Sequence, residues 1–91
     1  MHDWTLVSLA FDWKGACVIL ALLNPKSEAV SLTAENVVRL LVPKQDEWGR
    51  SVSVNEVTGP TRQADGTETL QIEMQSGDVI EIAAGSFVLP Y

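Results

Sequence analysis

The chain has 91 residues, 46% apolar and 20% charged, with a single cysteine and a net charge of −6. So much apolar surface excludes a disordered chain, which cannot bury enough to offset its conformational entropy. The length supplies interior for a single domain, 1–91.

Cys17 has no partner within the chain, so stability must come from the core and not from a disulfide. The longest unbroken apolar run, Ala16 to Leu23, is far short of the roughly 20 residues a membrane-crossing helix needs. The opening Met1-His2-Asp3-Trp4 lacks a basic segment leading into an apolar stretch, so no secretory signal is expected. A cytoplasmic location follows as the expectation.

Charge is unevenly placed. Through Arg62 there are seven acidic and six basic residues; after it come Asp65, Glu68, Glu73, Asp78 and Glu81, with no Lys or Arg. Such a surface repels phosphate, which argues against nucleic acid or an anionic membrane as partner. It would attract a basic protein surface and raise the encounter rate at low salt. The alternative is that these acids merely keep a small protein soluble.

Eleven valines, four isoleucines and six threonines favour pleated, half-buried segments. Alternation predicts strands over 4–12, 16–24, 29–34, 37–43, 51–58, 68–75 and 79–84. Pro25, Pro43, Pro60 and Pro90 fall at or beyond their ends. The best helical stretch is 34–42, but Val37-Val38 and the following Pro43 favour a strand there, with room for one turn over 33–36. After Val54 the alternation of Ser51-Val52-Ser53-Val54 shifts phase, which predicts a bulge near Asn55 on an edge strand able to pair with its own copy.

Two hairpins can be registered. A three-residue loop with Gly15 in the left-handed position would pair Phe11 with Cys17, Leu9 with Ile19, Val7 with Ala21, Ser8 with Leu20 and Leu6 with Leu22. Both faces of that hairpin are apolar. A three-residue loop at Gln75-Ser76-Gly77 aligns Ile72 with Ile80, Leu70 with Ile82, Gln71 with Glu81 and Glu73 with Val79. Its outward face is then wet and acidic. The expected fold is all-β, a single antiparallel domain of about six or seven strands, either a two-layer sandwich or a strongly curled, barrel-like sheet. Function is expected on the loops 44–50 and 60–67.

Chemical sites are scarce. One His and one Cys cannot build a metal centre of ordinary ligand spacing, so no metal and no cofactor is expected. Cys17, inside an apolar strand, reads as a core residue, and His2 as a polar residue before the first strand, with Asp3 able to brace it. Ser51 and Ser53 are outward strand residues without a second histidine to serve them. The carboxylate pairs Asp46-Glu47 and Glu73 with Glu81 read as solvated acids, and no glycine-rich phosphate loop is present. No catalytic residue is assigned, and the chain reads as a non-enzyme.

Binding features are better represented. Trp48 and Arg50, residue types enriched at interface hot spots, stand in the loop 43–50. Glu73 and Glu81 give the last hairpin its charge. Trp13 sits in a hairpin loop where a core role is hard to arrange, while Trp4 opens the first strand and reads as core.

His2-Asp3-Trp4, leading into an alternating strand and a Gly-closed hairpin, resembles the opening of small bacterial β-rich proteins grouped with polymorphic-toxin immunity proteins. Trp4 departs from the aliphatic or alanine residue expected there, and no binding residue carries over. The resemblance implies a cytoplasmic inhibitor that masks a toxin's active surface by charge complementarity, with His2 and Asp3 structural.

Three readings follow. The first is a non-enzymatic protein-binding module, immunity-like, that offers Trp48, Arg50, Glu73 and Glu81 to a basic protein partner. The second is a small self-associating structural domain, a homodimer covering an apolar face from Leu6, Leu20 and Leu22. The third, an enzyme, would need a concave pocket gathering His2, Asp3 and another acid.

Overall fold

The alternation along the chain resolves into six antiparallel strands of one sheet, with no helix among the described residues. The computed structural model describes residues 1–44 and 52–91. The strands are β1 (Thr5–Asp12), β2 (Cys17–Leu23), β3 (Ala29–Leu41), β4 (Val54–Arg62), β5 (Glu68–Met74) and β6 (Val79–Val88). Their order across the sheet is β1-β2-β3-β6-β5-β4. The two edge strands approach each other at one end, where Thr5 bridges Ser53, Leu6 N–H donates to the Val52 carbonyl and Val54 N–H to that of Trp4. The sheet is thus strongly curled but not closed into a barrel.

One face of this curled sheet is the core. Val18, Leu20 and Leu22 of β2, Leu32 and Ala34 of β3, Val54 of β4, Leu70 and Ile72 of β5, and Ile82 and Ala84 of β6 are all within 1% of complete burial. Period-two alternation aligns them, since every second side chain of a strand points to the same face. No polar or charged side chain is buried among the described residues.

The sequence divides 29–43 into two strands, whereas the chain runs through as β3. Asn36 absorbs the irregularity by adopting a left-handed conformation (φ 55°), which Asn tolerates better than most residues. A bulge then puts Val38 outward between Val37↔Ala84 and Arg39↔Ala83. The helical alternative over 34–42 gives way to strand, as its β-branched pair favours.

Pro60 lies inside β4, not beyond its end, and it does so without a missing ladder bond because β4 is an edge strand interrupted there. The 60–67 stretch is accordingly strand through Arg62 and then a tight turn.

The β5–β6 hairpin has the expected register throughout, with Ile72↔Ile80, Leu70↔Ile82, Gln71↔Glu81 and Glu73↔Val79. Gly77 (φ 98°) takes the left-handed position of its three-residue loop.

The β1–β2 hairpin differs. Asp12 pairs with Cys17, so the loop is the four residues Trp13–Ala16, and Ala16 (φ 51°), not Gly15, is left-handed. Two sets of bonds hold this longer loop. Asp12 Oδ1 accepts from Gly15 N–H at 3.3 Å, and the Ala16 carbonyl accepts from Val37 N–H of β3 at 2.8 Å. The extra loop residue shifts every pair by one until a bulge at Val7 restores the expected Leu6↔Leu22. As a result Leu9 stands opposite Leu20 and Phe11 opposite Val18. Leu20 and Leu22, expected on a second face open to another copy, are core residues, 0% and 1% exposed.

Candidate functional site: an acidic outer face on β4, β5 and β6

Glu73 and Glu81 project from the outer face of the β5–β6 hairpin, where the register makes them diagonal neighbours through Glu73↔Val79 and Gln71↔Glu81. Both are half-buried. The structure adds a third acid. The β4 ladder shifts between Val54 and Glu56, as the phase change at Asn55 predicts, and two residues of β4 then oppose Glu73. One of them, Glu56, is its register partner and is exposed. The other, Asn55, donates from Nδ2 to Glu73 Oε1 at 2.5 Å.

Two carboxylates directly opposite across a ladder destabilise it, because at this spacing like charges repel. Among the described residues none of the three glutamates has an ion-pair partner. Arg39 stands diagonally across from Glu81 but makes no ion pair with it. Glu68, further along β5, has Arg62 as its register partner, again without an ion pair between them.

The bulge is held from the N-terminus. His2 Nδ1 donates to the Asn55 carbonyl at 2.8 Å, and Nε2 lies 3.4 Å from Asp3 Oδ2. Asp3, left-handed at φ 64°, accepts at Oδ1 from Gln75 Nε2 at 2.8 Å, and its own N–H donates to the Val54 carbonyl. A polar chain thus runs from the β5–β6 turn through Asp3, His2 and Asn55 to Glu73. The expected bracing of His2 by Asp3 is present. Their side chains, 66% and 65% exposed, connect structural elements.

Trp48 and Arg50, with Asp46 and Glu47, lie outside the described residues. Trp13 is 87% exposed at the hairpin tip and stacks on Phe11, ring centroids 5.7 Å apart. Trp4 is half-buried, packs against the core and meets Tyr91 edge to face.

A cleft of about 200 Å³ opens between β1 and the β5–β6 hairpin, with Leu6, Leu9, Val52, Met74 and Ile80 among its walls. Lys44, Asp78 and two serines supply its polar atoms, and His2 and Asp3 are not part of it. Among the described residues no group of three or more His, Cys, Asp or Glu could hold a metal ion. None of them forms a helix long and apolar enough to cross a membrane.

Glu56 is the site residue that a residue-by-residue reading misses. The phase shift after Val54 contains the signal: once a bulge is placed at Asn55, Glu56 must come round beside Glu73.

No family model and no curated protein matches the sequence. Among solved structures the chain is similar to an uncharacterized protein from Neisseria gonorrhoeae, with a TM-score of 0.66 and 12% identity over 97% of this chain and 90% of that one. At that identity the likeness shows a shared fold.

Proposed function

We propose that the protein is a non-enzymatic binding module that presents the outer face of β4, β5 and β6 to a basic protein surface. The observation that carries this reading is the Glu56↔Glu73 register pair, two like charges set opposite each other beside a bulge. Such a pair costs the isolated chain stability, and a basic partner would offset that cost by neutralising both carboxylates. An immunity-like inhibitor in the cytoplasm would use the face in this way, covering a basic active surface of its toxin.

The test is a pull-down from lysate of the source cells with wild type and with the triple variant Glu56→Gln, Glu73→Gln, Glu81→Gln. Wild type should retain one stoichiometric partner that high salt releases, and the variant should lose it while its circular dichroism is unchanged. Equal capture by the variant, or no salt-sensitive partner at all, rejects the reading.

A further inference from the structure

The cleft between β1 and the β5–β6 hairpin has an apolar floor and a charged rim. Met74 and Ile80 are its most buried residues, 8% and 3% exposed, and the half-buried Leu6 and Leu9 of β1 pack against the same core. Val42 and Val52, 47% and 50% exposed, are the apolar lining that water still reaches. At about 200 Å³ the space is smaller than the roughly 300–1,000 Å³ of pockets that hold drug-sized molecules. Liquid water takes about 30 Å³ per molecule and covalently linked atoms pack closer, so the cleft has room for about ten non-hydrogen atoms. Among its polar groups Ser76 and Asp78 serve each other: Ser76 Oγ donates to Asp78 Oδ2 at 3.1 Å and accepts from the Asp78 N–H at 3.3 Å. Lys44, exposed at the rim, is the only basic residue of the lining and makes no ion pair among the described residues.

We infer that this cleft binds a small aliphatic monocarboxylate, its chain against Met74, Ile80 and the two leucines and its carboxylate at Lys44. The apolar part follows from the walls: a short chain covers Val42 and Val52, and the gain scales with the apolar area taken from water. The charge follows from the rim, where a carboxylate gains a charge-assisted hydrogen bond from the Lys44 ammonium. A cationic ligand would have Asp78 to meet instead, and that carboxylate already accepts from Ser76. A second charge on the ligand would have to lie unpaired against the apolar floor, which is costly, so one carboxylate is the limit. None of Glu56, Glu73 and Glu81 lines the cleft, and the site is therefore separate from the acidic face.

Titration of the isotope-labelled full chain with sodium octanoate, a chain of that size, followed by methyl NMR, tests this. The methyls of Leu6, Leu9, Met74 and Ile80 should shift saturably with a dissociation constant on the order of 1 mM. Those of Ile19 and Val38, exposed outside the cleft, should stay in place. Lys44→Gln changes only an exposed side chain and should keep the fold. It should weaken octanoate by about two- to fivefold and leave the binding of the neutral 1-hexanol unchanged. Octylammonium should bind more weakly than octanoate to the wild type. Absence of a saturable shift at these methyls, octanoate binding that Lys44→Gln leaves intact, or octylammonium binding as tight as octanoate overturns the inference.

Discussion

The His2 ring and the Asn55 carbonyl, 53 positions apart in the chain, are joined by a 2.8 Å hydrogen bond. That bond fastens the N-terminus to the bulge that brings Glu56 beside Glu73. Architecture and candidate site therefore share residues: the segment before β1 shapes an acidic surface formed by strands at the far end of the sheet order.

Removing this fastening should loosen the bulge without unfolding the sheet. An exposed neutral hydrogen bond contributes about 0.5–1.5 kcal/mol net. His2→Ala should therefore cost about 0.5–1 kcal/mol in urea unfolding. Its distinctive signature is local: amide exchange should speed up at Asp3 and Val54, whose N–H groups bond across the N-terminal segment and β4. Unchanged exchange at both positions would mean that the backbone bonds hold the bulge alone.

The β5–β6 hairpin was legible in full because its turn carries a glycine at the left-handed position and its apolar set tolerates one register. The bulge at Asn55 was legible from phase. The β1–β2 register was not, since both faces of that hairpin are apolar and a one-residue shift carries no penalty visible in composition. What decided it were bonds from outside the hairpin and within its loop, those of Ala16 with Val37 and Asp12 with Gly15. The continuity of β3 was hidden for a related reason: Asn36 makes a kink that looks like a turn until Gly85, lying across from it, is known to leave room.

The Glu56–Glu73 register pair predicts a trade of stability for binding. Relieving a like-charge cross-strand pair is worth about 0.2–1 kcal/mol. Glu56→Gln should raise the unfolding free energy by that amount at low salt, and the gain should shrink as salt screens the pair. Partner capture should weaken in the same variant. A Glu56→Gln protein no more stable than wild type at low salt would remove the argument that the pair is maintained at a cost.

Gly59 is a position where any side chain meets backbone. A Cβ there would lie 2.5 Å from the Thr69 carbonyl oxygen and 3.0 Å from Thr61 N, at a φ of 103°. Neither neighbour is a flexible side chain that could move aside. Gly59→Ala should cost roughly 2–5 kcal/mol, the sum of left-handed strain and overpacking. Gly66, at φ 88° with nothing within 4 Å of a built Cβ, isolates the strain alone. Gly66→Ala should cost about 1–2 kcal/mol. Thermal unfolding of the two variants side by side checks the ranking, and equal losses would show that the β4–β5 ladder gives way at Gly59.

The β4–β5 turn should make stability depend on acid. Asp65 Oδ1 accepts from Thr67 Oγ1 at 2.6 Å and from Thr67 N–H at 3.0 Å. Those bonds, the hydroxyl's first, hold the carboxyl below its ordinary value of 3.8. A carboxyl whose folded pKa is depressed binds its proton less readily in the folded chain than in the unfolded one. Its contribution is therefore complete above the ordinary value and is lost as pH falls through the depressed one. Thr67→Ala removes the larger cause and should move the Asp65 titration upward, followed by carboxyl NMR. Wild type should lose more stability to urea than Thr67→Ala does when pH is lowered from about 6 to about 2, because the variant has less of this linkage to lose. Identical losses would place the acid sensitivity of the fold outside this turn.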